Sequence, residues 1–155
     1  GFNYRMNEFT AAIALAQCER VNYFVQKRRK AAISLKKVLI NNEYLIPQKI
    51  PNKVYATYYT LAVRLTAKGK KKVSWFNFRK RFMKFGGDGI YAASKLIQQE
   101  TAIKKNRIGK KSDETPVAKK LQKELLLFTT NQGTQREINV QTQALKKTIQ
   151  FYKLY

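Results

Sequence analysis

The chain has no histidine, only one cysteine and only nine acidic residues among its 155 residues. The absence of histidine excludes Ser–His and Cys–His catalysis, histidine general bases and the usual zinc ligand sets. The single Cys18 excludes an internal disulfide, and its place in a predicted helix favours a buried apolar side chain over a reactive thiol. Long apolar runs that would cross a membrane are missing, and no signal peptide is visible. These absences predict a cytoplasmic protein without a metal site.

Basic residues are the abundant class. The 32 lysines and arginines leave a net charge of +23, which favours polyanionic partners such as nucleic acid, an anionic membrane or a diphosphate substrate. The basic clusters are spread along the whole chain, however, and this spread favours solvated helix faces and turns. An apolar fraction of 44%, with nine Phe and nine Tyr, is enough for the core of one ordinary domain.

The first half of the chain predicts a long helix and one strand. Apolar periodicity predicts a helix over Asn7–Ile40, with the side chain of Asn7 as its N-terminal cap. Alternation over Tyr55–Leu65 predicts a strand with one largely apolar face. Lys68–Lys70, with a glycine at its centre, is typical of a turn.

A second helix follows, and its aromatic residues predict the core. Ser74 caps this helix and Gly86-Gly87 ends it, since glycine tolerates the left-handed conformation. Steps of three, four and three place four aromatic residues on one face. These residues are Trp75, Phe78, Phe82 and Phe85.

The last third of the chain predicts short elements. We expect a short strand within 88–92, a mobile lysine-rich loop over 98–113, a helix beginning at Thr115-Pro116 and a short strand at 126–128. A capping box over Thr134–Glu137 opens a final helix. This order predicts an α/β fold, in which helices cover a small sheet.

Two places have residues suited to ligands. Asn3 offers an amide donor and Arg5 a charged fork, and both precede a helix N-terminus, where free N–H groups favour anions. An interfacial ion pair is the alternative role for Arg5. The turn GGDGIY at 86–91 lets a ligand approach the backbone, although turn geometry alone also explains its glycines.

The opening stretch GFNYRMNEFTAAIALAQCER resembles the segment that begins the C-terminal part of the DegT/StrS sugar aminotransferases, which are pyridoxal-phosphate enzymes of fold type I. Looser similarities follow at YYTLAVRL, FRKRFMKFGGDGIY and TPVAKKLQKELLLF. The matching residues of the first motif are Gly1, Asn3, Arg5, Met6, Ala11–Ile13 and Gln17–Arg20.

The resemblance implies a partial enzyme. Family members are much longer, and their large cofactor domain, with the Schiff-base lysine, precedes this segment. Residues 1–41 would then form an interface loop and a long connecting helix. Residues 42–155 would form a small C-terminal α/β domain with a mostly antiparallel sheet. The resemblance places no catalytic residue in this chain and implies that the chain alone is inactive.

The resemblance also implies a cofactor, substrates and site residues. Asn3 would reach across a homodimer to the phosphate of the partner's pyridoxal 5'-phosphate, with Arg5 beside it. The substrates would be a nucleotide-diphosphate keto-sugar and glutamate, the amino donor, in the synthesis of polysaccharide or lipopolysaccharide sugars. Many members carry a histidine after the second helix, which this chain lacks. We expect Gly89 and Tyr91 to border the substrate instead.

Two alternative functions remain from the sequence. The charge and the aromatic residues suit a small basic nucleic-acid-binding module, although the aromatic stripe is more typical of a core. An accessory subunit that completes an enzyme on another chain is the other alternative. A partial enzyme would expose apolar surface, so we expect the isolated chain to be weakly stable or to self-associate.

Overall fold

A four-stranded antiparallel sheet lies at the centre of the computed structural model, which describes residues 4–92, 95–105 and 115–155. The strand order is β1-β2-β4-β3. Helices cover this sheet, so the predicted fold class is confirmed. The strands are β1 (Leu45–Pro47), β2 (Thr60–Leu65), β3 (Tyr91–Ala92) and β4 (Leu125–Thr129).

Helices account for most of the remaining described residues. A short 3-10 turn, Ile97–Gln99, precedes the fifth helix. The helices are α1 (Glu8–Glu19), α2 (Val21–Val38), α3 (Ala67–Lys72), α4 (Trp75–Lys84), α5 (Thr101–Lys105), α6 (Pro116–Gln122) and α7 (Gln135–Phe151).

The predicted long helix is divided into two helices at Arg20. Its predicted cap is confirmed, because the Asn7 side chain accepts a hydrogen bond of 2.8 Å from the backbone N–H of Thr10. The N–H of Arg20 donates to the carbonyl of Gln17 at 3.2 Å. This bond spans three residues, which tightens the final turn of α1 and ends the regular helix there.

None of the twelve residues of α1 is buried by the part of the chain that the structure describes. Phe9 is 86% exposed and Ile13 is 67% exposed. Cys18 is also exposed, so the prediction of a buried cysteine is wrong for this structure. The reason is that the apolar side chains of α1 lack a covering partner among the residues described.

The predicted strand over Tyr55–Leu65 is too long, because β2 begins only at Thr60. Tyr58 has a φ of 52°, a left-handed conformation that interrupts an extended strand. The Thr130 hydroxyl donates to the Tyr58 carbonyl at 2.5 Å, so a side chain replaces the strand partner at this point. Beyond the interruption the predicted alternation holds, and the apolar face of β2 is completely buried. It consists of Leu61, Val63 and Leu65.

The predicted aromatic core face of α4 is confirmed. Phe78 and Phe82 are buried and meet Phe128 edge to face, with ring centroids 6.4 and 5.4 Å apart. Trp75 and Phe85 pack against the edge of the same core. This arrangement ties α4 to the central strand β4.

Two predictions between the strands are wrong. Lys68–Lys70 lies in α3 rather than in a turn, because the Thr66 side chain caps this short helix at the N–H of Gly69. Gly69 serves close packing: a Cβ there would lie 2.6 Å from Leu65 Cδ1 and 2.9 Å from the Tyr44 carbonyl oxygen. Part of the predicted loop 98–113 is helical, in the 3-10 turn and α5. Residues 106–113 lie outside the described residues.

The capping box before α7 is confirmed. The backbone N–H of Glu137 donates to Thr134 Oγ1 at 3.2 Å, and the N–H of Thr134 donates to Glu137 Oε2 at 2.8 Å. The inner face of α7 carries Ile138 and Leu145, both buried. The capping box therefore fixes the start of α7, and its buried face holds the helix on the core.

Candidate functional site

Arg5 lies where the sequence placed it, just before the N-terminus of α1. Its side chain is exposed, so a group from outside the described residues can reach it. Asn7 already satisfies the N–H of Thr10, and Glu8 adds a negative charge in the first turn. Arg5 adds a positive charge beside this helix N-terminus, a kind of place that generally favours anions. Asn3 lies outside the described residues.

Gly89 lies in the connection from α4 to the edge strand β3, and Tyr91 is the first residue of that strand. The connection starts at Gly86, whose φ of +89° needs glycine and ends α4 as predicted. The N–H of Asp88 donates to Gln141 Oε1 at 2.8 Å, and Arg79 Nε donates to the Ile90 carbonyl at 3.0 Å. These bonds hold the backbone on both sides of Gly89, and Tyr91 follows opposite Leu127 of β4.

Tyr91 lines a small cavity of about 100 Å³ together with Arg28, Tyr59 and Asn131. The Arg28 guanidinium lies 5.3 Å from the centre of the Tyr59 ring, and its Nη1 donates to the Tyr59 carbonyl at 3.0 Å. Arg5 does not line this cavity. The predicted site residues with described positions therefore fall in two places.

A second cavity of about 260 Å³ continues from Arg28 along α2. Arg20 lies 4.8 Å from the Phe24 ring centre, and Lys27 Nζ lies 4.7 Å from the Tyr23 ring centre. Lys27 also donates to the Gly133 carbonyl at 2.5 Å. We call this surface the basic–aromatic face and define it as Arg20, Tyr23, Phe24, Lys27, Arg28, Tyr59 and Tyr91.

The loop from β4 to α7 borders this face and holds the nearby acidic group. Asp88 Oδ2 accepts hydrogen bonds from Gln132 Nε2 at 2.7 Å and from Thr129 Oγ1 at 3.1 Å. Gln132 Oε1 is buried without a hydrogen-bond partner among the described residues. The pKa of the Glu137 carboxyl is lowered mainly because the backbone N–H of Thr134 donates a hydrogen bond to it, and the positive charge of Lys27 makes a smaller contribution. The loop is thus tied to its surroundings by several hydrogen bonds.

The sequence analysis did not identify Arg28 and Tyr59 as site residues. Arg28 stood within a basic run on a helix, and Tyr59 within a predicted strand. Only the packing of α2 against the segment before β2 brings them to Tyr91. No short-range pattern in the sequence contains this contact.

The described residues lack two features that are common in catalytic sites. They contain no group of three or more cysteine, aspartate or glutamate side chains placed to hold a metal ion. No lysine with a described side-chain environment is buried, and burial is one means of lowering a lysine pKa for nucleophilic catalysis. Within residues 4–92, 95–105 and 115–155, no helix is long and apolar enough to span a bilayer. What these surfaces offer is cations, hydroxyls and amides for an anionic ligand.

Comparisons with known proteins agree with this fold. The DegT/DnrJ/EryC1/StrS aminotransferase family model matches residues 1–142. The UDP-4-amino-4,6-dideoxy-N-acetyl-beta-L-altrosamine transaminase of Helicobacter pylori is 34% identical over 47 residues, which are 30% of this chain and 12% of that protein. The aminotransferase from Psychrobacter cryohalolentis has a TM-score of 0.85 at 22% identity, over 99% of this chain and 41% of that one. Spr1654 from Streptococcus pneumoniae in its PLP form has a TM-score of 0.76 at 13% identity, over 96% and 37%.

The chain thus spans well under half the length of these relatives. The two structural likenesses, each under 25% identity, show that the fold is shared. The family match is of a different kind, because it covers most of the chain, from the opening motif into α7. The chain belongs to the DegT/DnrJ/EryC1/StrS aminotransferase family.

Proposed function

We propose that this chain is the C-terminal portion of a pyridoxal-phosphate-dependent aminotransferase that aminates a nucleotide-linked keto-sugar. The family match over residues 1–142 carries this proposal. In it, residues 1–41 form the interface loop and connecting helices, and residues 42–155 form the small domain. The large cofactor domain, with the Schiff-base lysine, lies upstream, so the chain alone is inactive.

Pyridoxal 5'-phosphate is the cofactor of this family, and Spr1654 is known in a PLP form. The described residues fit its phosphate end: Arg5 is an exposed cation just before a helix N-terminus. We place the lysine that would bind its aldehyde end in another part of the enzyme. When bound, the cofactor supplies the electron sink that allows an amino group to be exchanged. Arg5 and Asn3 would hold its phosphate across the interface of a homodimer.

The substrate proposal is supported by the name of the Helicobacter pylori relative, which acts on a UDP-linked sugar. Glutamate would be the amino donor, and the amino sugar would serve polysaccharide or lipopolysaccharide synthesis in the cytoplasm. Tyr91 is 62% exposed and stands beside Arg28, so its hydroxyl can meet a polar ligand. Gly89 lies two residues before Tyr91 in the chain. These two residues would border the substrate.

The experiment that tests this function uses the complete polypeptide that contains the chain. We would incubate it with pyridoxal phosphate, glutamate and UDP-linked keto-sugars and follow 2-oxoglutarate and the amino sugar by mass spectrometry. Amination is the expected result. Failure of the complete protein to bind pyridoxal phosphate would refute the proposal.

A charge variant tests Arg5 within the same protein. Arg5→Met should weaken retention of pyridoxal phosphate by roughly 10- to 100-fold, the usual range for losing a hydrogen bond to a charged group. Arg64→Met removes the same charge from an exposed position on β2 and should leave retention unchanged. Equal retention in the two variants would exclude Arg5 from the phosphate site.

Nucleic-acid binding is the alternative function, and the net charge of +23 still favours it. Base stacking needs exposed rings, whereas Phe78 and Phe82 of the aromatic stripe are buried. Tight DNA binding that falls steeply with salt, in a protein without aminotransferase activity, would support this alternative instead.

A further inference from the structure

We propose that a groove between the end of α2 and the edge strand β1 binds an acidic amphipathic helix of a partner protein. This α2–β1 groove has a volume of about 710 Å³. Three isoleucines and three lysines contribute to its lining: Ile33, Ile40, Ile46, Lys36, Lys37 and Lys49. Arg5, Gly89 and Tyr91 do not line it, so the groove is a surface beyond the proposed function.

The isoleucines give the groove an apolar surface that the described residues leave largely uncovered. Ile33 and Ile46 are each 43% exposed, and Ile40 is 68% exposed. Ile33 lies in α2, Ile40 in the turn after it and Ile46 in β1, so three segments of the chain build one surface. Exposed apolar side chains that share a groove with a polar rim are typical of an interaction site, whereas single scattered ones are not.

The charge of the groove selects an acidic partner. Lys36, Lys37 and Lys49 line it, and no aspartate or glutamate of the described residues does. None of these lysines forms an ion pair with a described carboxylate. Glu43, the acidic residue nearest to them in the sequence, is bound to Lys68 Nζ at 2.5 Å. Carboxylates on a partner would therefore meet lysines that are still available.

The edge of β1 is closed to an added strand, so a partner must bind through its side chains. The N–H of Gln48, directly after β1, donates to β2 at 2.8 Å, and alternate residues of an antiparallel strand turn their backbone groups the same way. Leu45 and Pro47 therefore direct theirs to the free edge. The Leu45 N–H is already bound by Asn42 Oδ1 at 2.9 Å, and proline has no N–H. A helix satisfies its own backbone and needs no such donor.

Hydrogen bonds hold the walls of the groove in place before a partner binds. Asn42 Nδ2 donates to the Leu154 carbonyl at 2.7 Å, and Gln48 Oε1 accepts from the N–H of Ala62 at 2.9 Å. Leu39, which also lines the groove, is only 2% exposed. A surface that is already ordered loses less conformational entropy on binding.

Charge disfavours the same groove of a second copy as the occupant. A twofold axis would bring identical patches together, and the lysines of both copies would meet without a carboxylate. Helix α1 of another copy differs, because it carries Glu8 and Glu19 without a lysine or arginine, and its Phe9 and Ile13 are exposed. The proposed function assigns α1 to the interface of the enzyme, so the choice of a separate partner protein rests on that function.

The test uses the complete polypeptide that contains this chain and a fluorescein-labelled synthetic peptide of about 14 residues, which is long enough for a helix. Leucines at i, i+3, i+4 and i+7 form the apolar face of the peptide, and glutamates occupy its other positions. Fluorescence anisotropy follows binding at about 0.15 M salt, which screens distant charges. The peptide should bind, and replacing its leucines by serine or its glutamates by lysine should weaken binding at least roughly tenfold.

Two pairs of variants at exposed positions assign this binding to the groove. Ile40→Ser should weaken it by roughly 10- to 100-fold, because a buried isoleucine contributes that much affinity, whereas Ile97→Ser, outside the groove and 77% exposed, should leave it unchanged. Lys49→Glu should weaken it by about 3- to 10-fold, because repulsion replaces attraction. Lys80→Glu on α4 changes the net charge equally and should alter binding by less than about twofold.

Three results would overturn the inference. The first is no binding of the glutamate–leucine peptide, and the second is an equal loss in Ile40→Ser and Ile97→Ser or in Lys49→Glu and Lys80→Glu, which would mean nonspecific attraction to a basic protein. The third is self-association that Ile40→Ser and Phe9→Ser both reduce in sedimentation velocity, which would give the groove to α1 of another copy.

Failure of the proposed function is distinguishable from failure of this docking surface. A complete protein without aminotransferase activity that still binds the peptide through Ile40 would refute the function and keep the groove. An active enzyme that does not bind the peptide would overturn the groove and keep the function.

Discussion

Replacing Gly87 with alanine should destabilise the domain through one defined steric conflict. An added Cβ would lie 2.3, 2.4 and 2.5 Å from Cε1, Cδ1 and Cζ of Phe82. The ring cannot easily move away, because Phe82 is only 2% exposed and packs edge to face on Phe128 at 5.4 Å. The backbone N–H of Gly87 also donates to the Phe82 carbonyl at 3.0 Å, so the two residues are held together.

The size of the effect follows from two opposing contributions. Forcing extra volume into a packed core costs about 1–3 kcal/mol. The alanine also restricts the unfolded chain, which returns about 0.4–1 kcal/mol. We therefore expect Gly87→Ala to lower the free energy of unfolding by about 1–2 kcal/mol, a shift of roughly 0.5–1 M in the urea midpoint.

Urea unfolding followed by the fluorescence of the single Trp75 measures this effect. Gly89→Ala is the matched control, two positions away in the same connection. Its Cβ would meet Arg79 Nη2 at 3.7 Å, an ordinary contact, so its stability should stay within about 0.5 kcal/mol of the original. A loss in Gly89→Ala as large as that in Gly87→Ala would refute the reasoning.

Three further predictions concern hydrogen bonds, pH and self-association. Asn42→Ala removes three side-chain bonds of 2.7–2.9 Å to backbone groups and should cost about 1–3 kcal/mol in urea unfolding, whereas Asn22→Ala on the exposed side of α2 should be near neutral. The backbone N–H of Thr134 is the largest cause that lowers the pKa of Glu137 below its ordinary value of 4.5. The ionised carboxylate therefore stabilises the fold above pH 4.5, and this stabilisation is lost as the pH falls through the lowered pKa. Glu137→Gln should therefore unfold at a lower temperature than the original at pH 7, and a gap that persists well below pH 4 would contradict this. Phe9→Ser should reduce self-association in sedimentation velocity, because Phe9 is largely exposed, and an unchanged profile would exclude α1 as the contact.

The predictable parts of this fold depend on short-range bonds. The caps at Asn7, Ser74 and Thr134 were all predicted correctly, because each side chain bonds a backbone N–H three residues later. The core face of α4 was also predictable, since its aromatic spacing matches one face of a helix. Each of these signals connects residues that are three or four positions apart in the sequence.

The parts that the sequence did not predict depend on distant contacts. The short β1 exists because it pairs with the edge of β2. The interruption at Tyr58 is supported by Thr130, 72 positions away. Likewise the contact of Arg28 with Tyr59 is made across two elements, so no local pattern identifies this part of the candidate site. Asn3 and Arg5 were proposed from their chemistry beside a helix N-terminus and from the family resemblance, Gly89 and Tyr91 from the resemblance alone, and the roles of all four remain predictions.

The antiparallel pairing of β2 with β4 has a consequence for folding kinetics. Thr60 lies opposite Thr129, so about seventy residues must form a closed loop before the two central strands can meet. The chain loses the entropy of closing this loop before the contacts between the strands can stabilise it. Domains rich in such distant contacts therefore fold slowly. During synthesis, the apolar face of β2 leaves the ribosome long before its partner does. The closure entropy itself depends weakly on length, since doubling a flexible loop costs only about 0.6 kcal/mol, so the distance in sequence matters more for the folding rate than for stability.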